Sequence, residues 1–173
     1  VQDSGTGYGI NQAGFVIHSA IHRARQDVAC VIHTHTPAGM AVSAMDCGLL
    51  PLTQNSMFFS SVGSHAYEGP AVDLDEQKRL GGGLGGRVAM LLKNHGLLAV
   101  GATIPEAFIT MYWLERACQA QVFALTTKTS LPAPETIRLT NERYKPGQRR
   151  KIGELEWAGL LRLLERRYPG FRD

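Results

Sequence analysis

Three histidines carry the most distinctive chemistry in this 173-residue chain. His33 and His35 stand two apart in the run Ala29-Cys30-Val31-Ile32-His33-Thr34-His35, whose composition is that of a β-strand. Residues i and i+2 of a strand share a face, so the two imidazoles can grip one ion with little rearrangement. A third ligand has to come from elsewhere in the fold. His95 sits in the turn Asn94-His95-Gly96 between two apolar runs, where Gly96 lets the backbone approach closely. Strand-end loops are a usual place for functional groups. Three protein ligands leave one coordination position open, the catalytic rather than the structural pattern. Spacing alone favours a second reading: two satisfied polar side chains at a strand end.

The other candidate groups are less specific. His18 and His22 are spaced i, i+4 on a helix and read as lining the core or bonding backbone groups, while His65 has no partner in sequence and reads as surface. Gly81-Gly82-Gly83-Leu84-Gly85-Gly86 lacks the Gly-Lys-Ser/Thr ending of a phosphate loop and reads as a flexible surface loop. Tyr112 and Trp113 read as core or subunit contact, and Cys118 as a small core residue.

The elements that must position these residues follow from periodicity and caps. Phe15, His18, Ile21 and His22 recur at helical spacing over 14–25. Thr36-Pro37 is an N-cap followed by proline at the first helical position, which starts a helix through 38–44. A strand is expected over 50–59, a loop over 64–77, and buried strands over 88–92 and 97–100. Thr103 and Glu106 have capping-box spacing and open a long helix to about residue 125. Pro132 and Pro134 end it and start a linker. A last amphipathic helix over 154–168 is expected to bury Leu155, Leu161 and Leu164. Residues 1–11, with Gly5, Gly7 and Gly9, read as a loop. The sum is an α/β (α+β) layered fold.

Composition narrows the function classes. Hydrophobic residues make up 44% and charged residues 19%, the balance of a globular domain. No apolar run approaches the ~20 residues of a membrane-spanning helix, and the first residues show no signal peptide. Three widely spaced cysteines, Cys30, Cys47 and Cys118, argue against a disulfide framework and fit a cytoplasmic location. The net charge is +3, and half of the 18 Lys and Arg fall within 143–172. No nucleic-acid motif or stacking pattern accompanies them, so a solvated face or a subunit contact is expected.

The segment His33-Thr-His-Thr-Pro-Ala-Gly-Met-Ala-Val-Ser-Ala, with Lys93-Asn-His-Gly-Leu-Leu-Ala-Val-Gly101 farther on, resembles the class II aldolase/adducin family. The likeness runs from Asn11 through the 103–125 helix and so covers most of the chain. It implies a central, largely antiparallel sheet flanked by helices and subunits commonly arranged as a homo-tetramer, with sites near subunit interfaces. It also implies a domain over 1–131 whose N-terminal part is missing, followed by a basic linker and helix over 132–173.

For the site, the resemblance implies Zn2+, or alternatively Mn2+, Fe2+, Co2+ or Ni2+, held by His33, His35 and His95. Such an ion would act as a Lewis acid on a small hydroxy-carbonyl or sugar-type substrate during carbon–carbon cleavage. Three departures stand out. The position of the family's glutamate base is Gly14, and its two phosphate-binding serines fall at Gln12 and Ala13. The tyrosine donor of some members aligns near Asn55. His18 and Gln54 are the candidates for substitute catalytic groups. The expected function is a metal-dependent lyase or a close relative; the alternative is a non-catalytic, adducin-like binding or assembly module with a cytoskeletal partner.

Overall fold

Apolar residues fill both phases of the period-two pattern in 89–92 and 96–101, which calls for cover on both faces of a sheet. A computed structural model of the chain, describing residues 9–70, 74–145 and 152–172, supplies that cover with helices. In chain order the elements are α1 (Gln12–Ala24), β1 (Cys30–Thr34), α2 (Pro37–Ala44), β2 (Gly63–His65), α3 (Glu76–Leu84), β3 (Ala89–Leu92), β4 (Gly96–Gly101), α4 (Ile104–Ala124), α5 (Pro134–Tyr144) and α6 (Glu154–Arg167). The sheet order is β1-β4-β3-β2. β4 runs antiparallel to both β1 and β3, and only β2 is parallel to its neighbour.

Strand alternation sorts the core into two layers. Met90, Leu92, Leu98 and Val100 face α1 and α3, where they meet Val16, Ile21, Leu80 and Leu84. Ala89, Leu91, Leu97 and Ala99 face the other way, onto Val42 of α2 and Met111, Leu114 and Cys118 of α4. The register pairs Met90 with Leu98 and Leu91 with Leu97, so each pair stays within one layer. A one-residue slip would exchange the layers, which is how the apolar pattern fixes the register.

Caps begin the helices where the expected signals lie. The Asn11 side chain accepts from the Gly14 N–H at 3.0 Å, and the Thr36 hydroxyl accepts from the Gly39 N–H at 3.3 Å. Thr103 accepts from the Glu106 N–H at 3.3 Å, while the Glu106 carboxylate reaches back to the Ala102 N–H at 2.8 Å. Each such cap stabilises its helix by roughly 1 kcal/mol.

Five expectations are corrected. Residues 50–59 form no strand: Thr53 and Ser56 exchange side-chain and backbone hydrogen bonds and turn the chain into a 3-10 turn at Ser56–Phe58. Such local bonds compete with a sheet ladder. The fourth strand is β2 instead, which overlaps the start of the expected 64–77 loop. The glycine run is no surface loop, because its first four residues belong to α3. A Cβ on Gly81 would stand 2.7 Å from the Cβ of Ala24, so glycine here lets α3 close onto α1. The linker after Pro132 contains α5, whose Tyr144 ring packs edge-on against Phe58 at 5.3 Å and Trp113 at 6.0 Å. Finally, α6 buries none of its leucines: Leu155 is 66% exposed and Leu161 and Leu164 are half-buried, while Trp157 packs on Phe108, 5.4 Å between rings.

Residues 1–8 of the expected N-terminal loop and 146–151 of the basic stretch lie outside the described residues. Among the described residues no helix is long and apolar enough to cross a membrane.

Candidate metal centre

β1 delivers His33 from its penultimate position and His35 just past its end. The tight turn between β3 and β4, with Asn94 at φ 56°, delivers His95. Because β1 pairs with β4, with Thr34 opposite Leu97, these two strand ends are neighbours. Gly96 makes the approach close enough: a Cβ there would collide with the Thr34 carbonyl oxygen and crowd the His35 ring at 3.3 Å. Among the described residues, the one group of three or more potential ligand side chains is His33, His35 and His95, whose ligand atoms lie within 4.8 Å of one another. Their ring centroids are 4.6 to 4.8 Å apart.

The hydrogen bonds orient the rings. His33 Nδ1 lies 2.8 Å from the Leu97 carbonyl oxygen, which can only accept, so Nδ1 carries the proton and Nε2 presents its lone pair. His35 Nε2 stands 2.8 Å from that lone pair and donates to it. A backbone carbonyl behind a ring nitrogen is the usual outer-shell partner of a metal-binding imidazole. Burial, aided by the charges of His95 and His35 and opposed by the Leu97 bond, pushes the His33 pKa down to about 4. Burial and His35 also lower that of His95. Both rings therefore favour the neutral form that a metal requires.

The donor set fits a divalent transition ion. Three neutral imidazole nitrogens within 4.8 Å of one another are donors such an ion would take, and those of His33 and His35 stand 2.8 Å apart. His35 is exposed while His33 and His95 are half-buried, which leaves one side of the cluster open to a small molecule.

The remaining candidates are distributed unevenly. His18 is half-buried close enough to lower the His33 pKa, and its own pKa is lowered by burial first and by His22 second. His22 Nδ1 lies 3.3 Å from the Val28 carbonyl oxygen, a backbone bond of the kind expected. Gln54 is not brought to the cluster: its amide donates to the Tyr144 hydroxyl at 3.0 Å, in a groove of about 730 Å³ lined also by Leu139 and Arg143. Gly14 lies in the first turn of α1, where a Cβ would meet only the Asn11 side chain, at 3.7 Å.

Three residues next to the cluster escape sequence reasoning. His65, expected on the surface, is 8% exposed and bonds Glu76, 4% exposed, at 2.8 Å. Tyr67 packs its ring edge-on against His95 at 6.1 Å. No periodicity joins 65–67 to 76, and β2 itself was not expected, so neither burial nor partner had a signal.

Comparison with known proteins identifies the fold and the family. A structure of an aldolase II superfamily protein from Pseudomonas syringae superposes with a TM-score of 0.90 at 43% identity, over 100% of this chain and 70% of that one. L-fuculose 1-phosphate aldolase from Glaciozyma antarctica superposes with a TM-score of 0.77 at 28% identity, over 96% of this chain and 64% of that one. A protein of Pseudomonas aeruginosa named "putative aldolase class 2 protein" is 45% identical over 96% of this chain, and rat alpha-adducin 38% identical over 100% of it. The chain spans 66% of the length of the first and 27% of the second. The family model for the Class II Aldolase and Adducin N-terminal domain matches residues 1–122, so the chain belongs to the class II aldolase and adducin family.

Proposed function

We propose that His33, His35 and His95 hold one divalent transition metal, Zn2+ in the first place, in an enzyme acting on a small hydroxy-carbonyl compound of the sugar type. The carrying observation is three imidazoles from two adjacent strand ends, with ligand atoms within 4.8 Å of one another. A bound ion would supply Lewis-acid polarisation of a substrate oxygen. His33 keeps its lone pair turned inward through its Leu97 bond, and His35 borders the open side where a substrate would enter. His18 is the candidate for moving a proton, being half-buried and electrostatically coupled to His33. The similarity to a structure named L-fuculose 1-phosphate aldolase supports the substrate class and a lyase-type reaction.

The alternative is an adducin-like binding or assembly module. Gly14, with no side chain at the position of the family's base, favours it, as does the likeness to alpha-adducin. A homo-tetramer belongs to the first reading, and the exposed Phe123 (76%) and Leu155 (66%) support a subunit contact.

Metal analysis of gently purified protein tests the proposal. We expect about one equivalent of a transition metal per chain, and a sharp drop in His95→Ala with the fold retained by circular dichroism. Metal at trace level in the unaltered chain, together with co-sedimentation with actin at low salt, would replace the first reading by the second.

A further inference from the structure

Behind His95 lies an arrangement that the proposed reaction does not use. β2 ends at His65, and the His65 carbonyl accepts from the Lys93 N–H at 2.9 Å, two residues before His95. α3 then holds the segment that follows β2 at two points. Glu76 in its first turn bonds the His65 ring at 2.8 Å, with both residues more than nine-tenths buried. Arg79, three residues on, clasps the Glu68 carboxylate through two bonds at 2.8 and 2.5 Å. Tyr67 lies between these fastenings with its ring edge-on to His95.

A buried acid and base are costly unless they satisfy each other, so the pair needs a structural or functional reason. Direct work on a substrate is excluded by size. The space bounded by His65, Tyr67, Glu76 and His95 is about 10 Å³, room for one water at most.

The geometry points to a positioning role: the His65–Glu76 pair, assisted by Arg79–Glu68, clamps Tyr67 against His95 and thereby fixes the orientation of the third metal-binding imidazole. This rests on the metal reading above. The ring contact carries the effect, not the phenol, because the two rings meet edge to face at 6.1 Å between centroids. An aromatic pair of this kind is worth roughly a 2- to 12-fold change in an equilibrium. Tyr67 is 54% exposed, so replacing it need not disturb the core.

The test is titration of the full-length, metal-stripped chain with Co2+, read by visible absorption, with thermal unfolding in parallel. Tyr67→Leu should weaken Co2+ binding roughly 2- to 12-fold and shift the absorption bands at nearly unchanged Tm. Tyr67→Phe should restore affinity and spectrum. Glu76→Ala, if it folds, should lower Tm and shift the bands in the same direction. Wild-type affinity and spectrum in Tyr67→Leu, or a Tyr67→Phe protein as weak as Tyr67→Leu, overturns the inference and leaves the metal reading standing. A folded Glu76→Ala protein with the wild-type spectrum overturns the clamp. No Co2+ binding by the unaltered chain overturns both readings together.

Discussion

Gly96→Ala tests whether the strand pairing and the histidine cluster are one structure. The added Cβ would overlap the Thr34 carbonyl oxygen, and that atom belongs to a paired backbone that cannot swing aside as a flexible side chain would. Relief requires β1 and β4 to part where Thr34 faces Leu97. Overpacking of this kind costs about 1–3 kcal/mol, and a lost ladder bond about 1 kcal/mol more. The expected destabilisation is about 2–4 kcal/mol, or a Tm lower by about 4–16 °C at this chain length. Gly82→Ala is the control. A Cβ there meets nothing within 4 Å, and alanine in a helix gains roughly 0.5–1 kcal/mol. Urea or thermal unfolding gives the energies, and Co2+ titration reports the cluster. Equal stability of the two variants would refute the steric reasoning. A destabilised Gly96→Ala protein with unchanged Co2+ affinity would refute the link between ladder and cluster.

Two further outcomes follow from single positions. Gly14→Glu adds a Cβ in ordinary contact with the Asn11 side chain in the first turn of α1, and should stabilise by about 1 kcal/mol; a lower Tm in thermal unfolding counts against that fit. The Cys118 thiol is pushed up to about 12 by burial and then by the Glu115 carboxylate. Its folded pKa thus exceeds its unfolded one, so its contribution to stability is complete below pH 9 and is lost as pH rises from 9 to about 12. In the native chain at pH 8 a thiol reagent should modify exposed Cys47 and leave Cys118 untouched until unfolding, which mass spectrometry of the labelled peptides checks. Labelling of both at one rate would contradict the packing of α4.

The His33–His35 pair and the caps at Asn11, Thr36 and Thr103 were legible because each is a local pattern whose physics acts within four residues. His95 was legible as a turn residue between apolar strands, and only the β1–β4 pairing brings it to the other two. The helix α3 was hidden by Gly81, Gly82 and Gly83, which lower local helix propensity while permitting close packing on α1. His65 and Glu76 were hidden for a different reason. Their burial is a tertiary fact, set by how α3 folds back on β2.

The order of strands also bears on when the cluster can exist during folding. β3 and β4 are joined by a tight turn, so that hairpin forms from contacts close in sequence and on a short time scale. β1 instead reaches β4 only after the whole intervening chain has been brought round, and its pairing carries the loop-closure entropy of that long excursion. Loop-closure entropy therefore favours a hairpin that presents His95 before β1 brings His33 and His35 to it. A chain arrested before that step displays one imidazole, not three, so ion capture would report completed topology rather than local structure.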